Sequence, residues 1–170
     1  MPCRLRCSAN TSSSAQVKVA VGPVGKLVER AFSVSRKLGP LSTISVVTLP
    51  KPLGIVFELS KAGNRRIFVA ELIPNGNAER ATRVSKLFEG KKTRERNNGR
   101  IIYGGAVNVG DLLLATTMVN VEVDLFGLRA PQRVVMFFAA EGRTWTETMG
   151  AIQSSFVADG PVTLVLERES

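Results

Sequence analysis

The residues best placed to do chemistry are a short loop, KPLGIVFE at 51–58. A glycine between Leu53 and Ile55, just behind Pro52, makes a tight step from which successive backbone N–H groups can project. Such a run of amides is a nest for an anion. Pro52 has no N–H, so the donors would be Leu53, Gly54 and Ile55. The plainer reading is a bend ahead of a buried strand. Composition removes most other chemistry: among 170 residues there is no histidine, and both cysteines, Cys3 and Cys7, lie at the extreme N-terminus. A histidine general base and the triads built on one are excluded. So is a Cys/His zinc site in the body of the chain. A Ser/Lys dyad has its residue types present without a motif to support it. The expectation is a protein without enzymatic activity, cofactor or metal.

The formal charge of +9 invites a nucleic-acid reading. Much of it is concentrated in residues 1–40, where Arg4, Arg6, Lys18, Lys26, Arg30, Arg36 and Lys37 face a single acid, Glu29. Phe32 is the single aromatic residue among these cations, too few for a row of base-stacking platforms, which argues against nucleic acid. No apolar run approaches the length of a membrane-spanning helix, so the chain is expected to be soluble or peripheral to a membrane.

The first twenty residues, MPCRLRCSANTSSSAQVKVA, are rich in Ser and basic residues and contain no acid. They also lack the apolar core of a secretory signal. These are features of an organelle transit peptide, closer to the plastid than to the mitochondrial kind. Val24, Leu27, Val28, Ala31 and Phe32 follow helical spacing. Residues 1–40 are therefore expected to be a transit peptide or disordered segment, cleaved between Ala20 and Leu41, with the short helix either the second part of the presequence or a small element of the mature protein.

From Ser42 the texture becomes that of a small, mainly antiparallel α+β domain. STISVVTLP, IVFELS, RRIFVAELI, VGDLLLATTMV and PVTLVLERE read as strands separated by Gly, Pro and Asn turns. AERATRVSKLF reads as a helix. A second helix starts at Thr144, because Glu147 three residues on completes a capping box, and Trp145, Met149, Ile152 and Phe156 then form one apolar stripe. Insertions are expected at about 86–106, which carries the basic run Lys91, Lys92, Arg94 and Arg96, and at 120–142. Gly110, Asp111, Glu167 and Arg168 read as turn and surface-pairing residues.

Taken in order, PLGIVFE, IFVAELIPNGNAERA, VGDLLLAT, TWTETMGAIQSS and GPVTLVLER resemble a PDZ domain across residues 44–168. The likeness is greatest to plant and algal chloroplast PDZ proteins of the thylakoid type. No single piece is specific; the weight lies in five pieces in the family's order. The resemblance implies a partly open antiparallel β-barrel or sandwich of five to six strands with two short helices, occupying residues 41–170. It implies that an extended peptide adds to the strand beginning at Ile55 while its carboxylate sits on the amides of Leu53, Gly54 and Ile55, with Lys51 as a nearby cation. Leu53, Ile55 and Phe57 on one side, with Met149 and Ile152 on the helix, would form the pocket for the tail's last side chain, and Val56 and Trp145 would line the rest of the peptide groove. Many members carry a histidine where Trp145 stands, and Trp145 implies an apolar or aromatic preference two residues before the tail's end.

The implied function is a plastid adaptor, in the stroma or on thylakoids, that binds a protein C-terminus or internal β-finger during assembly or maintenance of photosynthetic complexes. Two alternatives are a substrate-recognition partner of a plastid protease, and RNA or anionic-lipid binding by the basic loop at 88–100.

Overall fold

The computed structural model describes residues 13–61, 65–89, 99–123 and 130–169. Among the described residues, nine strands and two α-helices follow one another: β1 (Ser14–Pro23), β2 (Val28–Ser35), β3 (Thr43–Leu49), β4 (Ile55–Leu59), β5 (Ile67–Leu72), α1 (Asn77–Glu89), β6 (Ile101–Tyr103), β7 (Leu112–Glu122), β8 (Gln132–Ala139), α2 (Trp145–Gln153) and β9 (Val162–Arg168). The result is a mostly-β fold, a curled open sheet carrying two helices. The sheet runs β2-β1-β8-β7-β9-β3-β6, and β5 branches from β7 to carry β4. All pairings are antiparallel except β3 with β6. No helix among the described residues is long and apolar enough to cross a membrane.

The centre of the sheet is apolar on both faces. On β3, Val47 and Leu49 point to one side and Ile44 and Val46 to the other; on β9, Leu164 and Leu166 oppose Val165. One face packs against Leu53, Val69 and Ile152, from the β3–β4 loop, β5 and α2. The other is covered by Val17, Val19, Val21 and Val34 of the β1–β2 hairpin. Phe32 of β2 stacks on Phe137 of β8 with ring centroids 4.3 Å apart.

That hairpin departs from the sequence expectation of a helix over residues 24–32 within a segment ahead of the domain. Pro23 and Gly25 form the hairpin turn, with Lys26 N–H donating to the Pro23 carbonyl at 2.8 Å, so the helical spacing begins in a reversal of the chain. Val17, Val19 and Val21 alternate with Gln16, Lys18 and Ala20, and this period of two is the pattern that folds. The domain therefore begins ahead of residue 41. A cut between Ala20 and Leu41 would divide or detach a structural element, and only a cut ahead of Ser14 leaves the fold whole.

Three smaller differences have physical causes. Within the expected insertion at 120–142, Gln132–Ala139 is a strand, paired with β7 from Ala115↔Ala139 to Glu122↔Gln132. Within that at 86–106, Ile101–Tyr103 pairs with β3; the basic run at 91–96 lies outside the described residues. Glu167, read as a surface residue, is fully buried, because its carboxylate accepts from the N–H groups of Lys37 at 2.8 Å and Leu38 at 3.1 Å and from the Ser42 hydroxyl. It ties the link between hairpin and β3 to the last strand. Asp111 and Arg168 do pair, through two contacts of 2.8 Å.

Candidate functional site

The loop from Pro50 to Gly54 is held from behind by the β5–α1 turn. The Asn77 side-chain amide donates to the carbonyls of Pro50 at 3.2 Å and Pro52 at 2.8 Å. Ala78 N–H donates to the Leu53 carbonyl and Ile73 N–H to the Gly54 carbonyl, both at 2.9 Å. Four loop acceptors are thus tied inward. The N–H groups of Leu53 and Gly54, in contrast, donate to no acceptor among the described residues. Leu53 itself is buried and Gly54 half-buried, so what the loop offers is two adjacent backbone donors without acceptors, the kind of group that a carboxylate or similar anion can satisfy.

Gly54 has a left-handed φ of +73°, and a Cβ there would lie 2.9 Å from the Gly76 Cα and 3.2 Å from the Asn77 nitrogen. The close approach that demands glycine is therefore to another segment of this chain, the turn at Gly76.

β4 follows the loop and pairs with β5 alone, from Ile55↔Leu72 to Leu59↔Ile67, so its other backbone edge is unpaired among the described residues. Ile55 and Phe57 share a face and pack, half-buried, against the cluster containing Leu53 and Ile152. Met149 of α2 packs against the same cluster. Five of the groove residues expected from sequence, Leu53, Ile55, Phe57, Met149 and Ile152, are thereby brought together. Val56 is not among them: strand alternation turns it to the opposite face, where it is exposed. Trp145 lies in the first turn of α2, partly exposed.

α2 starts as expected. Glu147 N–H donates to the Thr144 hydroxyl at 3.2 Å and Thr144 N–H to the Glu147 carboxylate at 2.8 Å, which holds the Glu147 carboxyl below its ordinary pKa. The helix ends at Gln153, capped by Ser154, so Phe156 falls outside it and is exposed. Lys51, expected beside a bound carboxylate, instead sends its ammonium to the other side of the loop, where it donates to the carbonyls of Ile152 at 2.8 Å and Ser155 at 2.5 Å. Carbonyls at a helix C-terminus lack intrahelical partners and carry partial negative charge, so a cation there is stabilising. Burial lowers the Lys51 pKa, opposed by the field of Asp159. Lys51 thus joins the loop to the end of α2 and helps set the spacing between β4 and the helix.

A second cation supports the same helix end. Arg133 of β8 donates to both oxygens of Asp159 at 2.6 and 2.7 Å and to the Ser154 carbonyl at 3.2 Å, and lies over the Phe156 ring. The guanidinium holds the Asp159 carboxyl below its usual range. Sequence reasoning did not anticipate Asn77, Gly76 or Arg133 as organisers. The first two sit in PNGN, which reads only as a turn until its partner is known. Among the described residues, no group of three or more Asp, Glu, Cys or His side chains is placed to hold a metal.

Comparison with family models, with curated proteins and with solved structures found no match.

Proposed function

We propose that this protein is a non-enzymatic interaction module of the PDZ type, binding the C-terminal tail of a partner protein between β4 and α2. The observation that carries this reading is the asymmetry of the 50–54 loop: four of its carbonyls are tied to the 73–78 turn, while among the described residues the N–H groups of Leu53 and Gly54 have no acceptor and stand at the head of an unpaired strand edge. A peptide adding to β4 would gain main-chain hydrogen bonds, place its carboxylate on those amides, and set its last side chain near Ile55, Phe57 and Met149. The Ser-rich, acid-free start of the chain supports a plastid setting, with proteins of photosynthetic complexes as the source of tails. The test is a screen of organellar C-terminal peptides, each made with a free carboxylate and as its amide. Binding by the acid and not the amide is expected. Equal binding of the two forms, or no binding across a diverse set, would refute the groove.

A further inference from the structure

Separate from the loop amides, a cleft of about 460 Å³ opens where the β4–β5 hairpin, the β8–α2 connection and the β2–β3 link converge. Its floor is apolar, including Ile67, Leu113 and Ala140, and its walls carry Lys37, Arg65, Arg66 and Glu141. Lys37 and Glu141 form an ion pair, so each largely cancels the other. Arg65 is exposed, makes no ion pair among the described residues, and stands at a left-handed φ of +49°, uncommon for a residue with a side chain. The cleft is therefore cationic, with its uncompensated charge on a strained backbone position.

Its location follows from register. Leu59, the last residue of β4, pairs with Ile67, directly after Arg65 and Arg66. Gly142, also lining the cleft, stands three residues before α2 begins at Trp145. The cleft thus lies at the end of β4 and α2 opposite the 50–54 loop. An antiparallel strand with its carboxylate at Gly54 would run along the five residues of β4, about 16 Å, and reach this end with the residues upstream. Other charges at this end are Glu58 on β4, Lys61 after it, and Arg143, which is paired with Glu147.

Resting on the groove reading, we propose that the partner tails carry acidic residues about five or more positions upstream of their carboxylate, and that the Arg65 side of this cleft receives them. Charge complementarity selects an acidic segment, and solvent access makes the contact salt-sensitive. The contact is separable from the groove, since Arg65 lies outside the loop, β4 and α2.

The experiment compares, by calorimetry on the full chain, a five-residue tail peptide with ten-residue versions whose upstream half is either acidic or Gly/Ser. Arg65→Asn serves as the variant, because asparagine tolerates a left-handed φ while removing the charge. The acidic extension is expected to tighten binding about two- to five-fold at low salt, the usual reach of an exposed ion pair. Arg65→Asn should abolish that gain and leave five-residue affinity unchanged. Equal gains from the acidic and Gly/Ser extensions, or a gain that survives Arg65→Asn, would overturn the proposal. Binding of the five-residue peptide alone reports on the groove, so the two readings fail separately; acidic extensions that bind when the short peptide does not would refute the groove and retain the cleft.

Discussion

Removing residues 1–40 should leave a body that does not fold cooperatively. The hairpin covers Ile44, Val46, Leu112, Leu114 and Val165, all at 8% exposure or less in the intact fold. Burying a side chain of this size contributes about 1.5–3 kcal/mol. Uncovering five forfeits roughly 8–15 kcal/mol as an upper bound, since the unfolded chain already hides part of that surface. The cut also removes the cost of ordering the hairpin, about 1–2 kcal/mol per residue, which offsets part of this loss together with the hairpin's own lost burial. The whole net stability of a domain is about 5–15 kcal/mol. The assay is urea unfolding followed by circular dichroism, with dye binding to exposed apolar surface, for chains beginning at residues 13 and 41. The longer chain should unfold in one sharp transition, and the shorter should bind dye without one. A chain beginning at residue 41 that unfolds cooperatively within about 1 kcal/mol of the longer one would refute the argument that the hairpin completes the core.

Other consequences are separable. Gly54→Ala should cost about 2–4 kcal/mol, combining the left-handed φ with a Cβ 2.9 Å from Gly76, and a denaturation midpoint near that of the native chain would contradict the close approach. Any larger side chain at position 54 will lose peptide binding through the loop's distortion, so it is a poor probe of the amides alone. Met149→Ala, at a half-buried position, should weaken peptide binding with a modest change in stability, whereas Ile152→Ala should cost about 2–4 kcal/mol of stability; calorimetry and urea unfolding on both variants separate the two roles. Asp159, whose folded pKa lies below its ordinary 3.8 because of Arg133, contributes stability in full above that unfolded value, and the contribution is lost as pH falls through the lowered folded value. Asp159→Asn should therefore flatten the fall in urea midpoint between about pH 6 and pH 2, and an unchanged acid limb would rule this pair out as a contributor.

Local signals were legible in the sequence wherever a side chain pattern answers to one neighbour. The capping box at Thr144 and Glu147 forms because both partners lie within one helical turn. β4, β5, β7 and β9 form from runs of β-branched and apolar residues between turns. What escaped is what depends on distant partners. Val17, Val19 and Val21 alternate plainly, yet their surroundings of Ser and Lys read equally well as a presequence; only the two-faced apolar centre of β3 and β9 shows that a second cover is needed. Lys51 beside an anion-binding loop reads as a ligand for that anion, until the end of α2, about a hundred residues along, offers its carbonyls first.

Such long-range ties also decide how the candidate groove holds its shape. An edge strand and a helix that only flank a peptide have no covalent reason to keep a fixed spacing, and each could shift when the space between them is empty. Here the spacing is fixed at the loop end. Lys51 reaches from the loop to the last carbonyls of α2, while Arg133 reaches to the same helix end from β8. Asn77 and the backbone of Ile73 and Ala78 fix the loop from the other side. The loop amides are thus preorganised: four of the loop's five carbonyls are satisfied by the protein itself, so much of the ordering is built into the fold. Preorganisation lowers the entropic cost of binding, so on the proposed reading a short tail with few contacts would still be held. Among the described residues, the ion pairs at the opposite end are Lys37–Glu141, just ahead of α2, and Arg143–Glu147 at its start. If the groove binds tails as proposed, that end is where upstream tail residues, through charge, would tune affinity without disturbing the loop.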